Sequence, residues 1–265
     1  MAPTLSDIEN YWRTAAEKPV DADGLRPTAR DPYLQTVVEA SIERWLATGS
    51  TVFDIGAGDG HSSARFARKA REVLGFDYIP AFVEAANDMA QRQGLENLRF
   101  AQADVLNLEP VTRQFGQADI AVTIRCLINL PTWDLQKQAI NQIASVVKPG
   151  GLYLLSEGWT EGWEALNRYR QKAGLQAVTV VEYNRLISKK SFEDFVSKDF
   201  EIVAFESIGF YLYMSRVYQA AYVTPNPPQH RHDINRISAE LFEQAATPPG
   251  FEECDYAGVY VLRRR

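Results

Sequence analysis

TVFDIGAGDGHSS, residues 51–63, is the stretch on which the reading of this chain turns. Val52 and Phe53 begin a short apolar strand, Asp54 closes it with a carboxylate, and Gly56, Gly58 and Gly60 turn the backbone into a helix that starts near Ser62. Glycines at such a turn supply positive φ or room for close backbone approach, because a Cβ would collide with a ligand lying on the carboxyl edge of the strand. A nucleotide-like ligand is therefore expected. The spacing is G-x-G-x-G. A dinucleotide fingerprint needs G-x-G-x-x-G, and the third glycine of that pattern would fall on His61 or Ser63 here, so neither register fits a nicotinamide or flavin site. An anion at Asp54 would repel a pyrophosphate and suits a ligand with cationic groups instead.

The 265 residues suit one domain with insertions, which we divide into an N-terminal covering segment (1–31), a binding core (32–157), a cap interleaved with a sixth strand (158–250) and a closing strand (251–265). With 46% hydrophobic and 23% charged residues the composition is that of a soluble globular chain, and no apolar run approaches the roughly 20 residues of a bilayer span. A net charge of −6 argues against a partner bound through many phosphates, so nucleic acid and membrane are not expected as partners. The start, MAPTLSDIENYWR, lacks a cationic region before an apolar core, which places the protein in the cytoplasm. Cys126 and Cys254 are too few and too distant for a disulfide scaffold, and no metal site is expected. The run Arg263 to Arg265 reads as a solvated tail.

Outward from the glycine turn, apolar strands and amphipathic helices alternate. A helix over 32–47 precedes the turn; after it come EVLGFD, a helix from Pro80 to Gln93, NLRFAQAD, a loop through Glu109 and Pro110, ADIAVTIRC, a helix from Trp133 to Val147, the turn KPGG and LYLLSE. This alternation predicts a doubly wound, mostly parallel sheet. Beyond Glu157 we expect helices from Trp163 to Lys172 and Ser191 to Val196, a strand FEIVAFESI, a tyrosine-rich helix FYLYMSRVYQAAYV, a helix DINRISAELFEQAA and a closing strand YAGVYVLRR.

With these motifs in order, the chain resembles the class I S-adenosylmethionine-dependent methyltransferases from about Leu34 to Glu157. The D-x-G-x-G-x-G of Asp54 to Gly60 is similar to the family's first motif, and the resemblance implies that the backbone of Gly56, Gly58 and Gly60 lies under the methionine part of the cofactor. It implies that Asp77, beside Tyr78, holds the ribose hydroxyls, and that Asp104, with Val105 alongside, reaches the adenine. KPGG at Lys148 to Gly151 looks like the family's approach to its fifth strand. The implied fold is a seven-stranded sheet with a helical cap and an antiparallel last pair. GLRPTARDPYLQ (24–35) and RCLINLPTWDLQKQAI (125–140) resemble small-molecule methyltransferases. The fourth-strand end lacks the (N/D)-P-P-(Y/F/W) of enzymes that methylate base or glutamine nitrogens. Arg30 either reaches the cofactor carboxylate or is an exposed arginine, and Tyr11 is a candidate to close over the cofactor.

Asp54, Asp77, Asp104, Arg125 and Glu157 all fall at carboxyl ends of strands, where a doubly wound sheet binds its ligand. If the acceptor is a hydroxyl, the candidate bases are His61, Glu157, His230 and His232; His61 is either a base or a helix cap. Arg125 either pairs with an acid such as Glu157 or receives an anionic acceptor, and Arg216 among Tyr211, Tyr213 and Tyr218 repeats that choice. Asn129 and Trp159 complete the candidate acceptor set. The expected function is methylation of a small polar or anionic metabolite (sugar, sugar-phosphate or natural-product intermediate), at oxygen before nitrogen or carbon, by a monomer or homodimer. The alternatives are another use of the same cofactor, such as aminopropyl transfer, or a non-catalytic subunit that only holds it.

Overall fold

A computed structural model of the protein describes residues 3–18, 30–245 and 247–265. Half of the Gly24–Gln35 stretch, and residues 1–2 and 19–29 of the expected covering segment, therefore lie outside the described residues. Among the described residues no helix is long and apolar enough to cross a membrane.

Helix α1, Leu5–Ala16, opens with a capping box in which Thr4 and Asp7 satisfy each other's orphan amides. Helix α2, Pro32–Glu43, has proline in its first turn and Asp31 as N-cap, whose carboxylate accepts the Leu34 amide at 3.0 Å. The doubly wound core then runs β1 (Thr51–Ile55), α3 (His61–Ala67), β2 (Glu72–Asp77), α4 (Pro80–Arg92), β3 (Leu98–Gln102), α5 (Glu109–Phe115), β4 (Ala118–Ile124), α6 (Trp133–Val146) and β5 (Val147–Ser156). The cap segments are α7 (Thr160–Lys172), α8 (Lys189–Val196), β6 (Phe200–Glu206), α9 (Gly209–Tyr213), a wide π turn Met214–Tyr218, α10 (Gln219–Val223), α11 (Asp233–Glu243) and β7 (Val259–Arg264).

The seven strands order as β3-β2-β1-β4-β5-β7-β6, with β7 antiparallel to both of its neighbours and the other pairs parallel. Chain direction across the sheet reverses at β1, which has β2 on one side and β4 on the other. A crevice opens at that switch point because the crossovers from β1 and β4 leave on opposite faces. Residue alternation along β1 sends Val52 to one core layer with Val37, Ile42, Phe66 and Leu154, and sends Phe53 and Ile55 to the other with Phe76, Ile143 and Leu155. Both faces are dry, so each such side chain contributes about 1.5–3 kcal/mol by burial.

Three expectations are corrected here. Glu109 and Pro110 begin α5 rather than a loop, since proline in a first helical turn loses no hydrogen bond. Arg263 and Arg264 are not a tail: they lie in β7, and Arg264 donates to the Val147 carbonyl. Trp159 is core, with no exposed surface, its indole N–H donating to Gly258 O at 2.9 Å and its ring against Phe192 and Tyr260. A residue so enclosed has no face left for an acceptor.

Candidate active site

The glycine turn is built by its backbone. Gly56, Gly58 and Gly60 have φ of 77°, 54° and 78°, left-handed values that cost a residue with a Cβ about 1–2 kcal/mol. The amides of Gly56 and Ala57 both donate to Phe76 O, at 2.8 and 2.9 Å, which ties the turn to the end of β2. Close approach is required as well as φ: a Cβ on Gly56 would lie 2.7 Å from Cys126 Sγ, and one on Gly60 would lie 2.6 Å from the Phe100 ring. Asp77, at the end of β2, accepts the Gly58 amide on one oxygen and the Ile79 amide on the other, each at 2.9 Å. The two bonds lock its carboxyl beside the turn, and burial raises its pKa against their pull. Tyr78 is half-buried next to it, while Asp104 is exposed just past β3 with Val105 half-buried alongside, its carboxylate accepting the Leu106 amide at 2.9 Å.

Asp54 does not present an open anion to the crevice. It is 3% exposed beneath the turn, Ser63 Oγ donates to it at 2.5 Å, and burial, with Glu39 and Asp77 nearby, pushes its carboxyl up to about 7. His61 is the first residue of α3, whose N-cap is Gly60, so it is not a cap; its exposed ring lies 3.2 Å from Glu39. Glu39 in turn accepts from Ser62 at 2.7 Å and Gln35 at 2.9 Å, a network that joins α2 to α3.

The loop after β4 is organised by a buried carboxyl group. Glu157 accepts the amides of Cys126, Leu127 and Ile128 at 3.2, 3.1 and 3.1 Å, so three consecutive backbone donors close on one side chain. Burial pushes Glu157 up to about 7, with these amides pulling the other way. Its oxygens are thus engaged by the loop, and toward Arg125, for which it is one of two alternatives, it acts as a weaker attraction than Asp31. Arg125 takes the uncommon left-handed conformation for a non-glycine residue (φ 53°), held by its amide on Ser156 O and by Asn129 Nδ2 on its carbonyl, both at 2.7 Å. Its guanidinium is disfavoured by burial and attracted first by Asp31, then by Tyr256 and Glu157.

Above the crevice, α1 and the loop after α7 meet. Tyr11 and Tyr183 stack with ring centroids 4.1 Å apart and their hydroxyls 3.1 Å from each other, and Trp12 packs against Tyr183 and against Phe82 of α4. The loop bearing Tyr183 is clamped to the reaction end by Arg185 N on Ile128 O at 2.7 Å and by Gln136, which donates to Leu127 O and Arg185 O. Arg30 and Arg125 both bear electrostatically on the Tyr183 hydroxyl, which burial keeps protonated. Tyr183 lay in a segment without periodicity, and nothing local to it signalled this role.

The cap residues Tyr211 and Arg216 serve a different partner from the one expected. Tyr211 Oη donates to Asp31 at 2.8 Å and Arg216 Nη2 lies 2.5 Å from the same carboxylate, with His230 Nδ1 at 3.7 Å. Burial opposes ionisation of Asp31, but Arg216, His230 and the Leu34 amide outweigh it and hold the carboxyl well below the usual range. An arginine and a tyrosine so engaged are structural, not acceptor-binding. Tyr213 edges onto Tyr169 and Phe251 in a small cap cluster. His232 accepts the Ile234 amide at the start of α11, and Arg30 is exposed. Among the described residues no group of three or more His, Cys, Asp or Glu side chains could hold a metal ion.

Residues 46–196 match the model of a methyltransferase domain. An uncharacterized methyltransferase of Bacillus subtilis (strain 168), YcgJ, is 30% identical over 144 residues, 52% of this chain and 54% of that one. The chain spans about half the length of the curated relatives it matches. Among solved structures, the cyclase SpnF is 20% identical with a TM-score of 0.57, covering 100% of this chain and 97% of its own. The N-methyltransferase NodS from Bradyrhizobium japonicum WM9, solved with S-adenosyl-L-homocysteine, is 11% identical with a TM-score of 0.57, covering 97% and 98%. At such identities the likeness to these structures is one of fold. The match to the domain model extends over more than half of the residues, from before the glycine turn to the end of α8, and on it the chain belongs to the methyltransferase domain family.

Proposed function

We propose that this chain is an S-adenosylmethionine-dependent methyltransferase that acts on a small polar or anionic metabolite in the cytoplasm. The observation that carries the reading is the row of groups along the carboxyl edge of β3, β2, β1 and β4: Asp104, Asp77, the glycine turn and Arg125 stand side by side at the switch point of the sheet. The residues fit the cofactor. The turn is a backbone cradle that a Cβ would obstruct, Asp77 is oriented by two amides with its remaining lone pairs suited to two ribose hydroxyls, and Asp104 and Val105 lie where an adenine would end. Tyr78 and the Tyr11–Tyr183 roof would enclose it.

When bound, the cofactor supplies a methyl group already activated by its sulfonium. The chain's own contribution is alignment and exclusion of water, which together can be worth about 7–11 kcal/mol of the barrier. The roof of Tyr11, Trp12 and Tyr183 closes one side, and the Glu157-organised loop presents Arg125 and Asn129 on the other. That pair favours an acceptor with an anionic or strongly polar group, and methylation at oxygen accords with the absence of the motif used for amide and base nitrogens. Neither Glu157, occupied by three amides, nor His61, paired with Glu39, is needed as a base. The deciding experiment is incubation with methyl-labelled S-adenosylmethionine and a metabolite extract, read for a labelled small molecule and S-adenosylhomocysteine. Asp77→Ala should weaken S-adenosylhomocysteine binding at least tenfold by calorimetry, since charge-assisted bonds to ribose are worth about 1.5–3 kcal/mol. Binding without any labelled product would favour another use of the cofactor, and no binding would end the proposal.

A further inference from the structure

The segment that carries Tyr183 is a strap pinned at both ends. At one end the Asn167 side chain of α7 takes both backbone groups of Val178, accepting its amide at 2.8 Å and donating to its carbonyl at 3.1 Å. At the other, the Ile187 amide donates to Gly158 O at 2.8 Å and the Ile187 carbonyl accepts from Thr160 N at 3.0 Å. Leu186 closes the same pin by packing, since a Cβ on Gly158 would lie 2.5 Å from its Cδ2. Between the pins, among the described residues, the backbone of residues 179–183 bonds only within the strap, where Asn184 N donates to Val181 O at 2.9 Å.

The height of Tyr183 over the crevice is therefore set by the residues just after it. Arg185 N donates to Ile128 O at 2.7 Å, and a single nitrogen, Gln136 Nε2 of α6, donates both to Arg185 O at 3.0 Å and to Leu127 O at 3.1 Å. Gln136 is 1% exposed and Leu127 is fully buried, so the Leu127 carbonyl has no water to turn to if that donor is lost. Leu127 and Ile128 thus give their amides to Glu157 and their carbonyls to the strap and its pin. Cys126, next to them, abuts the glycine turn, where a Cβ on Gly56 would meet its Sγ at 2.7 Å. A continuous line of bonded and packed groups runs from the turn through 126–128 to the strap, and from Tyr183 to the Tyr11 hydroxyl.

We infer that Gln136 is a positioning residue of this site: it keeps the Tyr11–Tyr183 roof in register with the reaction-end loop, so that the roof is held over whatever occupies the glycine turn. Gln136 acts through Tyr183, by way of Arg185, and touches no ligand itself. The inference rests on the methyl-donor reading, which gives the roof its occupant.

The test is the dissociation rate of S-adenosylhomocysteine, measured by chasing radiolabelled ligand from the intact protein with unlabelled ligand, with urea unfolding run alongside. Gln136→Leu keeps similar bulk but neither donor bond, and should release the ligand about tenfold faster or more. Tyr183→Ala should do so at least as strongly. Adding Gln136→Leu to Tyr183→Ala should then change the rate by less than about twofold, because the path from Gln136 runs through that ring. A purely structural glutamine gives a different pattern, lower stability with an unchanged rate, or two rate effects that multiply; either overturns the inference. If Gln136→Leu does not fold, amide hydrogen exchange of the wild type decides: ligand binding should slow exchange in residues 125–130 and 179–187 together, and slowing confined to 125–130 overturns the inference. A wild-type protein that binds no S-adenosylhomocysteine ends the methyl-donor reading and this inference with it, whereas a ligand that binds and leaves Gln136→Leu at the wild-type rate ends the inference alone.

Discussion

Glu157→Ala isolates the carboxyl group on which the reaction-end loop is built. The wild-type side chain satisfies three buried or half-buried amides, those of Cys126, Leu127 and Ile128, at 3.1–3.2 Å. Each lost bond to a buried backbone donor costs about 1–1.5 kcal/mol once partial relaxation is allowed, so the substitution should destabilise the fold by about 3–5 kcal/mol. Glu157→Gln is the finer probe. Its remaining carbonyl oxygen still accepts from Cys126 and Leu127, which share Oε1, but its amide nitrogen meets the Ile128 N–H donor to donor, for a loss of about 1–2 kcal/mol. Urea unfolding followed by circular dichroism measures both values, and the slope against denaturant checks that only stability has changed. A Glu157→Ala protein within about 1 kcal/mol of wild type would refute the account of the loop. A Glu157→Gln protein that folds and binds S-adenosylhomocysteine normally, yet has lost all methyl transfer, would restore the general base set aside above.

Asp31→Asn removes the charge opposite Arg216 and should destabilise by about 3–5 kcal/mol in urea unfolding, as for an uncompensated buried ion. The double variant Asp31→Asn with Arg216→Met should recover part of that loss, and an additive double variant would deny the coupling. Stability should fall as pH rises from about 5.5 to 8. Asp54 and Glu157 have folded values near 7 against unfolded values near 4, so their contribution is fully present below about pH 4 and is lost as pH climbs to 7, by about 2 kcal/mol for each group over the part of that range above pH 5.5. A profile that is flat or rising over that window would contradict the burial of both. Gly56→Ala combines a left-handed φ with a Cβ 2.7 Å from Cys126 Sγ and should lower stability by about 2–5 kcal/mol; a variant as stable as wild type by thermal melting would mean the turn is not held as described.

What could be read from the residues alone was whatever is encoded locally. The strand-turn-helix at 51–63 and the strictly alternating core carry short-range signals, and so did the helical reading of FYLYMSRVYQAAYV, although its π turn carries none; the final antiparallel pair followed only from the family resemblance. Asp77, Asp104 and Glu157 stand at or just past the ends of β2, β3 and β5, as the alternation predicts, but their states are not local: Asp54 reads as an open anion because nothing nearby in sequence announces Ser63 as a donor and Glu39 as a second acid. Arg216 and Tyr211 looked like pocket residues for the same reason, since their partner Asp31 lies 185 and 180 residues away. Asp31 itself was legible only as part of a turn before a helix. Tyr183 shows the opposite failure, a residue in an irregular segment whose place against Tyr11 is set by a contact 172 residues long in sequence.

The sheet order has a consequence for how the molecule comes to exist. β7 is inserted between β5 and β6, yet both of its neighbours precede it in the chain. A nascent polypeptide emerging amino end first would hold β3, β2, β1, β4 and β5 as a five-stranded parallel body whose outer edge, Leu152 to Ser156, has nothing to pair with, while β6 waits with no strand beside it. Contacts between distant parts of a chain are slow to form, and an uncovered strand is an invitation to the wrong neighbour. Tyr153, Leu154 and Leu155, wholly buried in the finished molecule, are what such an edge would display. The interval between synthesis of β5 and delivery of β7 is thus when this chain most needs a chaperone, and overproduction that outruns delivery should lose material to aggregation through that edge.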